Sequence, residues 1–462
     1  MKDLLVIGGG PGGYVAAIRA RQLGMKAALV EKDKLGGTCL NRGCIPTKTY
    51  YRHAEIMRSL QRLDEFCIQL DADSARLDMA GTRARKDAVV EQMAGGVAAL
   101  LQAHGVEVIR GEAVVEEPGR VRVGEESIRA ERLLIATGSE SIRPAALPGA
   151  ALPGVLTCEE LLERSEIPSR LLIIGGGVIG MEFACIFQAF GSQVTVLESL
   201  PRPLAFLDQE IARRMSVLFK RQGIEIKTGA KVESINTQDA HLLVTASDKK
   251  GNMQYEAELV LLAVGRSPAT AGLNLDKLGV KTEQGFIKVN QDYESSVGGI
   301  YAIGDVIGPP MLAHVASEEG RAAVERMAGM DSRLDYEAIP HCIFTFPEIA
   351  AVGLTQEEAA TRGIDCRTGK FQFAANGKAV AMGESEGLIK VICGPDDTIL
   401  GVHIMGPHAS DLILEASLLV NLGLKVEEAL HTVHPHPTLG ETLYEALLDA
   451  QGRAIHLKPP RK

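Results

Sequence analysis

The stretch that decides the fold is residues 3–13, DLLVIGGGPGG, in which a short apolar run leads directly into a cluster of glycines. A short apolar run bounded by glycine predicts a buried strand over 3–7. The spacing that follows predicts an amphipathic helix ending at Gly24, and a second apolar run predicts a strand over 26–31. A strand, a glycine turn, a helix and a strand in this order indicate an α/β fold with a parallel sheet.

The glycines of this turn have the spacing of a dinucleotide-binding loop. Gly8, Gly10 and Gly13 form G-x-G-x-x-G, in which the first makes the tight turn, the second admits a pyrophosphate and the third lets the helix pack on the strand. Glu31 ends the second predicted strand, where it can accept hydrogen bonds from ribose hydroxyls. A lone glycine cluster would also fit an ordinary tight turn, but this setting favours a nucleotide site.

The same unit occurs a second time in the chain. Residues 171–174 predict a strand, Gly175, Gly177 and Gly180 repeat the glycine spacing, and Glu198 ends the next strand. The interval from the first glycine to the acid is 23 residues in both copies. A carboxylate at this position favours a free ribose 2′-hydroxyl and repels a 2′-phosphate, so the second unit is predicted to bind NAD rather than NADP.

Two cysteines with four residues between them, Cys39 and Cys44, lie in the stretch GGTCLNRGCIPTK. Pro46 suits the first turn of a helix, so Cys44 is expected near a helix N-terminus, where the helix dipole stabilises a thiolate. Lys48 follows one helical turn later. A zinc half-site, a structural disulfide and two unrelated thiols are the alternatives, but no second Cys or His cluster completes a zinc site. Beside two dinucleotide units, a redox-active disulfide is the favoured interpretation.

The length and composition of the chain are typical of globular proteins with several domains. Its 462 residues are enough for roughly three domains, and a net charge of −10 does not suggest a nucleic-acid partner. Six further cysteines lack motif spacing; most lie in apolar surroundings, which predicts buried thiols in a reducing compartment. The N-terminus lacks the pattern of a signal peptide, and no apolar run is long and clean enough to predict a membrane span.

The remaining segments give a coarse outline. Residues 50–105 are predicted to be mainly helical, and from about Tyr336 alternating strands without a glycine fingerprint predict a third, α+β unit. Asp305, after a short predicted strand, could be a plain helix acid or loop cap. Further strands are predicted at 132–138, 258–266 and 300–305, a β meander over 111–117 and 119–124, and helices at 409–423 and 438–450.

The C-terminal stretch HPHPTLGE places His436 close to Glu441. A histidine with a carboxylate partner suits acid–base chemistry. However, Thr438 and Glu441 also have the spacing of a helix capping box, and His436 could be an ordinary loop histidine. The residues alone leave these interpretations about equal. Structural roles are favoured for the other histidines of this kind, His314, His341, His431 and His434.

Together, these motifs resemble those of the pyridine nucleotide–disulfide oxidoreductases, over essentially the whole chain. The resemblance rests on G-x-G-x-x-G, GGTCLNRGCIPTK, ATGS, GGGVIGMEF, AVGRSP, YAIGD with MLAH, and HPTLGE. It implies an α/β fold with two Rossmann-like dinucleotide-binding domains, for FAD and NAD, followed by a C-terminal α+β dimerisation domain. The implied boundaries are 1–145, completed by 269–335, for the FAD-binding domain, 146–268 for the NAD-binding domain and 336–462 for the dimerisation domain.

The resemblance also implies roles for matching positions. Cys39 and Cys44 would be the redox disulfide, with Cys39 as the exchanging sulfur. His436, oriented by Glu441, would be the acid–base group. Lys48 would lie near the flavin, with Glu182 as its partner, and no metal is implied. FAD contacts are implied for Gly8, Gly10, Gly13, Glu31, Lys48, Asp305, Met311, Leu312, Ala313 and His314, NAD contacts for Gly175, Gly177, Gly180, Glu182, Glu198 and Gly265, and further cofactor contacts for Thr38, Gly111, Thr137, Gly138 and Val232.

The implied reaction is oxidation of a dihydrolipoyl group to its disulfide, with reduction of NAD⁺ to NADH through FAD. The implied partners are a lipoyl-bearing protein of a multienzyme complex and a second copy of this chain, in the cytoplasm. The alternatives are a reductase of another disulfide or of a quinone, an NADH diaphorase, and a flavoprotein docked without turnover. Two departures from the family pattern, Gly440 for serine and Phe346 for a common histidine, touch no implied chemical role.

Overall fold

The computed structural model describes residues 1–70, 75–239 and 241–458. Residues 71–74, part of the predicted helical stretch, lie outside the described residues, as do residues 459–462. The strands in chain order are β1 (Lys2–Ile7), β2 (Ala27–Glu31), β3 (Glu107–Arg110), β4 (Ala113–Glu117), β5 (Arg120–Val123), β6 (Glu126–Ile135), β7 (Ser139–Ser141), β8 (Val155–Leu156), β9 (Arg170–Ile174), β10 (Gln193–Glu198), β11 (Glu225–Thr228), β12 (Lys231–Gln238), β13 (His241–Asp248), β14 (Gly251–Ala257), β15 (Leu259–Leu262), β16 (Arg266–Pro268), β17 (Thr282–Glu283), β18 (Phe286–Ile287), β19 (Ile300–Ala302), β20 (His341–Ile343), β21 (Glu348–Gly353), β22 (Arg367–Gln372), β23 (Leu388–Cys393) and β24 (Ile399–Gly406).

The helices alternate with these strands in the first two thirds of the chain and cluster near its end. They are, in chain order, α1 (Pro11–Gln22), α2 (Gly37–Arg42), α3 (Cys44–Leu60), α4 (Met79–Ala103), α5 (Cys158–Leu161), α6 (Val178–Phe190), α7 (Gln209–Arg221), α8 (Leu275–Leu278), α9 (Ala313–Met327), α10 (Gln356–Thr361), α11 (Gly377–Ala381), α12 (Ala409–Asn421), α13 (Val426–Leu430) and α14 (Glu441–Ala450).

The first sheet is built around β1. Its parallel strands have the order β3-β2-β1-β6, with β19 pairing β6 on the far side. Leu4, Leu5 and Val6 are fully buried, because α1, α4 and α9 cover one face of the sheet, whereas β4, β5 and α8 cover the other. The start of β6 turns back through β5 to β4 as an antiparallel meander, which confirms the predicted meander.

The second sheet repeats this plan. Its parallel strands have the order β11-β10-β9-β15-β8, and β9, α6 and β10 reproduce the strand, helix and strand of β1, α1 and β2. Gly191 ends α6 with φ 104°, a left-handed conformation that suits glycine. The internal repeat expected from the sequence is therefore confirmed at the level of strands and helices.

The third sheet is antiparallel and has the order β20-β21-β24-β23-β22. Helix α12 packs on β21 and β24, and α14 packs on β22 and β23, over a core that includes Phe371, Ile389 and Ile404. This arrangement confirms the predicted α+β unit. A buried ion pair, Lys390 Nζ to Asp208 Oδ2 at 2.7 Å, joins its strand β23 to the start of α7.

Several predicted elements are wrong in extent. The stretch 50–105 is two helices, because α3 ends at Leu60 and α4 begins only after Asp78, whose carboxylate caps the Gly81 N–H. The strands predicted at 132–138, 258–266 and 300–305 end at residues 135, 262 and 302. In each case the chain then turns through a glycine with positive φ, at Gly138, Gly265 and Gly304.

The scattered cysteines match the prediction only in part. Cys158, Cys185 and Cys393 are buried, but Cys342 and Cys366 are half-buried and Cys67 is exposed. Cys67 directly follows a 3₁₀ turn over Leu63–Phe66 and has φ 56°. Within the described residues, no helix is long and apolar enough to cross a membrane.

Candidate active site

The two cysteines of the GGTCLNRGCIPTK stretch lie on successive helices. Cys39 is on α2, and Cys44 is the first residue of α3, as predicted. Gly36 begins this segment with φ 94°, and a Cβ at that position would lie 2.6 Å from the Leu40 side chain. The tight entry into α2 therefore requires glycine, and it brings Cys39 within hydrogen-bonding distance of Cys44.

The environment separates the acidities of the two thiols. The hydrogen bond between them, with burial and the charge of Cys44, raises the pKa of Cys39 far above its ordinary value. The same hydrogen bond is the main factor that lowers the pKa of Cys44 to about 7, assisted by Lys48 and opposed by burial and Glu182. In the reduced protein the pair therefore favours the thiolate on Cys44 over the thiolate on Cys39.

Lys48 and Glu182 form a partly buried ion pair beside Cys44. The Lys48 ammonium donates to Glu182 Oε2 at 2.8 Å and to Oε1 at 3.0 Å. Glu182 also accepts from the Phe344 N–H at 3.0 Å, and the Lys48 ammonium lies 4.3 Å from the centre of the Phe344 ring. One carboxylate therefore joins α3, α6 and the segment after β20, and it keeps the lysine oriented toward Cys44.

The first glycine loop has the close approaches that G-x-G-x-x-G requires. A Cβ on Gly8 would lie 2.4 Å from the Ala136 oxygen, and one on Gly13 would lie 1.8 Å from the Gly8 oxygen. Glu31 accepts the Gly9 N–H at 2.6 Å, which holds the loop to the end of β2. Gly10 is the N-cap of α1 and no side chain caps that helix, so its N–H groups face outward.

The second glycine loop has the same geometry. A Cβ on Gly175 would lie 2.3 Å from the Ala263 oxygen, and one on Gly180 would lie 1.9 Å from the Gly175 oxygen. Glu198 accepts the Gly176 N–H at 2.6 Å and the Leu200 N–H at 2.7 Å. Gly177 faces open space and begins α6 without a side-chain cap. Both loops therefore present a free helix N-terminus, which suits a pyrophosphate.

Two buried polar atoms near the first loop support a bound group there. Thr137 Oγ1 and Asn41 Oδ1 are buried without a hydrogen-bond partner. Asn41 also lines a cavity of about 1240 Å³ between α2 and α4. Buried polar atoms are normally paired, so unpaired ones next to uncapped N–H groups fit a large polar cofactor such as FAD.

Asp305 lies in a 3₁₀ turn, Gly304–Ile307, and not at the end of a strand. It accepts a hydrogen bond from the Ser139 hydroxyl at 2.5 Å. The MLAH residues Met311 and Leu312 lead into α9, whose first two residues are Ala313 and His314. His314 Nε2 lies 3.0 Å from the Pro340 oxygen, and burial lowers the pKa of its imidazole.

The other implied cofactor contacts are spread over several elements. Thr38 is on α2, next to Cys39. Gly111 follows β3 with φ 145°, and its N–H donates to the Glu31 oxygen. Gly138 and Gly265 also have positive φ, beside β7 and β16. Val232 lies on β12 at an irregularity in strand pairing and packs against the core of the second sheet.

His436 and Glu441 are hydrogen-bonded, with Nδ1 2.9 Å from Oε1. Only half of the alternative capping box is present: Glu441 accepts the Thr438 N–H at 2.8 Å, but α14 begins at Glu441 with Gly440 as its N-cap. The His436 side chain is 79% exposed, and within the described part of the chain no hydrogen bond joins it to Cys39 or Cys44. His436 is therefore directed toward the surface and is not bonded to the cysteines of its own chain.

Sequence reasoning missed two contributors to this region, Ser139 and Arg266. Arg266 donates to Ser139 Oγ at 2.8 Å, and Ser139 in turn contacts Asp305. Both residues belong to motifs that the sequence displays, ATGS and AVGRSP, so their motif membership was the available signal. Among the described residues, no group of three or more His, Cys, Asp or Glu side chains could hold a metal ion.

Comparisons with known proteins agree with this geometry. Residues 2–320 match the family model described as pyridine nucleotide-disulphide oxidoreductase, and residues 339–447 match the dimerisation domain of that family. The chain is 43% identical to a Bacillus subtilis protein named dihydrolipoyl dehydrogenase, over 98% of this chain and 99% of that protein. It is 42% identical to the protein of the same name from Thermus scotoductus, over 98% of each.

Solved structures with the same fold include two relatives of lower identity. LpdA from Mycobacterium tuberculosis has a TM-score of 0.88 at 28% identity, covering 96% of this chain and 98% of that one. The HOCl-induced flavoprotein disulfide reductase RclA from Escherichia coli has a TM-score of 0.86 at 28% identity, covering 96% and 99%. The chain belongs to the pyridine nucleotide-disulphide oxidoreductase family.

Proposed function

We propose that this chain is an FAD-dependent dihydrolipoyl dehydrogenase that catalyses dihydrolipoamide + NAD⁺ → lipoamide + NADH + H⁺. One observation carries the proposal: a pair of hydrogen-bonded thiols, one with its pKa lowered to about 7, lies beside the Lys48–Glu182 ion pair in a chain with two uncapped dinucleotide loops. The relatives of that name, at about 40% identity over nearly the full length, support the substrate.

The cofactors are FAD and NAD, and the first glycine loop is assigned to FAD. Gly8, Gly10 and Gly13 would admit the pyrophosphate, with the free N–H groups of α1 as donors. When bound, FAD accepts two electrons from the dithiol and passes them as hydride to NAD⁺. The remaining FAD contacts are assigned to Glu31, Thr38, Gly111, Thr137, Gly138, Asp305 and the MLAH residues 311–314.

The second loop is assigned to NAD. Gly175, Gly177 and Gly180 would hold its pyrophosphate at the uncapped N-terminus of α6. Glu198 would accept from the ribose hydroxyls, and its negative charge would repel the 2′-phosphate of NADP. Glu182, Val232 and Gly265 are the remaining proposed contacts.

The difference between the pKa values of Cys39 and Cys44 gives each cysteine its proposed role. The substrate thiolate attacks Cys39, so a substrate–Cys39 disulfide forms as the Cys39–Cys44 bond breaks. Cys44 leaves as a thiolate, and a sulfur of lower pKa is the better leaving group in thiol–disulfide exchange. Lys48 stabilises the negative charge that develops on Cys44. The second substrate thiolate then attacks the substrate sulfur of the mixed disulfide, which forms the disulfide of lipoamide and expels Cys39 as a thiolate.

His436 is the proposed base that takes the proton from each substrate thiol. Its Nδ1 faces the Glu441 carboxylate, which orients the ring and leaves Nε2 toward substrate. Because the pair points outward, it is proposed to complete the cysteine site of a second subunit. The dimerisation domain supports a homodimer, and α12 with its C-cap residue exposes a row of leucines suited to such contact, Leu414, Leu418 and Leu422.

The proposed organisation follows from these assignments. Residues 1–145 with 269–335 would bind FAD, 146–268 would bind NAD and 336–462 would form the dimer interface. The proposed partner is a lipoyl-bearing protein of a multienzyme complex. A reducing cytoplasm is the proposed setting, because the six cysteines outside the active pair are free thiols.

The test is a stopped-flow assay of the purified holoenzyme. Dihydrolipoamide with NAD⁺ should reduce NAD⁺ rapidly, and glutathione with NADP⁺, run beside it, should give little NADPH. The matched control is Cys39→Ser, which should be inactive with dihydrolipoamide. Fast turnover of the glutathione pair, or none with dihydrolipoamide, would instead favour a reductase of another disulfide, the activity named for the RclA structure.

A further inference from the structure

A single guanidinium links the two dinucleotide-binding units. Arg266 begins β16, which pairs antiparallel with β7 in a two-stranded sheet. The guanidinium donates to Ser139 Oγ at 2.8 Å through Nε and to the Ser139 backbone oxygen at 2.8 Å through Nη2. Its Nη1 donates to Ser141 Oγ and to Glu159, both at 3.1 Å. All three guanidinium nitrogens therefore donate to β7 or to α5, and the Arg266 side chain is only 14% exposed.

The chemistry of arginine sets the direction of the hydrogen bonds. A guanidinium only donates, so Ser139 Oγ must accept from Arg266 and use its single proton elsewhere. That proton goes to Asp305 Oδ2, 2.5 Å away. Within the described residues no other side chain donates to the Asp305 carboxylate. Arg266, Ser139 and Asp305 thus form a chain of hydrogen bonds, here called the relay, in which Arg266 donates to Ser139 and Ser139 donates to Asp305.

A second branch starts from the same guanidinium and provides a comparison. Ser141 Oγ accepts from Arg266 and donates to Glu159 at 2.8 Å. This branch shares the guanidinium and the strand β7 with the first, although Ser141 is half-buried and Ser139 is buried, and it ends on Glu159 and not on Asp305. Substituting each serine in turn therefore distinguishes an effect on the stability of the paired strands β7 and β16 from an effect on Asp305.

We propose that Ser139 and Arg266 are positioning residues that hold the Asp305 carboxylate in place for FAD. The inference rests on the proposed function, in which Asp305 contacts FAD. Arg266 comes from the strand that leaves the NAD-binding segment, so the relay also couples the position of that segment to the FAD side. Without Ser139 Oγ, Asp305 would lose its donor and Arg266 Nε would be left unpaired.

The test measures release of FAD from the holoenzyme by the rise in flavin fluorescence, at constant temperature in mild denaturant. Ser139→Ala should release FAD roughly tenfold faster than the unmodified protein, as expected for loss of one hydrogen bond to a charged group. Ser141→Ala should release FAD at nearly the unmodified rate. Ser139→Thr, which keeps the hydroxyl, should restore slow release. Arg266→Lys should also release FAD faster, and it replaces Ser139→Ala if that variant does not fold.

A double-mutant cycle with Asp305→Asn isolates the relay. If Ser139 acts through Asp305, Ser139→Ala should add little to the effect of Asp305→Asn. Additive effects, or equal losses in Ser139→Ala and Ser141→Ala, would overturn the proposal. A holoenzyme that retains FAD but does not oxidise dihydrolipoamide would refute the proposed function while leaving this measurement valid.

Discussion

The Lys48 ammonium lies 2.8 Å from Glu182 Oε2, which connects the helix that begins at Cys44 with the helix that begins at the second glycine loop. The glutamate side chain is 5% exposed, so its charge requires a close cation. The same carboxylate accepts the Phe344 N–H of the third unit. The thiol pair, the proposed NAD loop and the C-terminal unit therefore meet at one buried carboxylate.

Lys48 and Glu182 both contribute to the pKa of Cys44, with opposite signs, so removing their charges should have opposite effects. Lys48→Met should raise the pKa of Cys44 above about 7, because a positive charge is lost, and Glu182→Gln should lower it. The measurement is the pH dependence of Cys44 alkylation by iodoacetamide in the reduced protein, followed by mass spectrometry. A midpoint that moves in the same direction in both variants would contradict the proposed electrostatics.

The two cysteines should be distinguishable by their spectra. Cys39→Ser should retain FAD, lose turnover of dihydrolipoamide and show a long-wavelength absorbance without added reductant, because the serine hydroxyl can still donate to Cys44 and Lys48 still stabilises its thiolate. Cys44→Ser should lack that band. Reversed spectra would exchange the roles assigned to the two sulfurs.

Glu198 should determine the choice of nicotinamide. The unmodified protein should prefer NAD strongly, and Glu198→Gln should narrow the preference by about tenfold or more, roughly 1.4 kcal/mol, because a like charge opposite the 2′-phosphate is removed. Glutamine keeps an acceptor for the Gly176 N–H, which makes it a better variant than alanine. The measurement is kcat/KM with each nucleotide, and equal activity of the unmodified protein with NADP would refute the assignment.

The outward position of His436 predicts a shared active site. Cys39→Ser and His436→Gln should each be inactive as homodimers. In mixed dimers, an intersubunit histidine places both lesions in one site and leaves the other site intact, so activity should return to roughly half.

The control for this experiment is a mixed dimer of Cys39→Ser with Cys44→Ser, which leaves no intact site in either geometry. Purified mixed dimers, confirmed by mass, that remain inactive would falsify the intersubunit role of His436.

The buried ion pair between the second and third units should contribute to stability. Lys390→Met should cost about 3–5 kcal/mol, because it leaves the fully buried Asp208 carboxylate unpaired. Lys370→Met is the matched control, since Lys370 is 40% exposed and pairs with Glu210; it should cost no more than about 1 kcal/mol. Equal denaturation midpoints for the two variants would argue against this difference.

Acid should weaken the same contact. Burial opposes ionisation of Asp208, but Lys390, His403 and the Glu210 N–H together lower its pKa, and burial lowers the pKa of His403. Groups whose pKa is lower in the folded state stabilise it at higher pH and lose that contribution as pH falls. Stability should therefore decline from neutral pH into the acid range, and Lys390→Met should reduce the part of this slope that belongs to Asp208. Thermal denaturation across that range is the measurement.

The sequence alone was enough to predict the two nucleotide-binding units, because their determinants are local. Gly8 and Gly13 are needed where the backbone folds back on itself within a few residues, and Glu31 follows at a spacing set by one helix and one strand. Cys44 at a helix start could likewise be predicted from Pro46 nearby. Such features depend on neighbours in the chain and are readable from one stretch.

Other features of the site were decided only by the tertiary structure, because they depend on residues far apart in the chain. The acidities of Cys39 and Cys44 follow from burial and from Lys48 and Glu182, and no local pattern contains those distances. The contact between Ser139 and Arg266 could not be predicted either, because 127 residues separate them in the chain. The outward direction of His436 was also not readable, because exposure is a property of the packed chain. Short-range steric rules therefore determined the fold of each unit, whereas long-range packing and electrostatics determined how the units combine into a site.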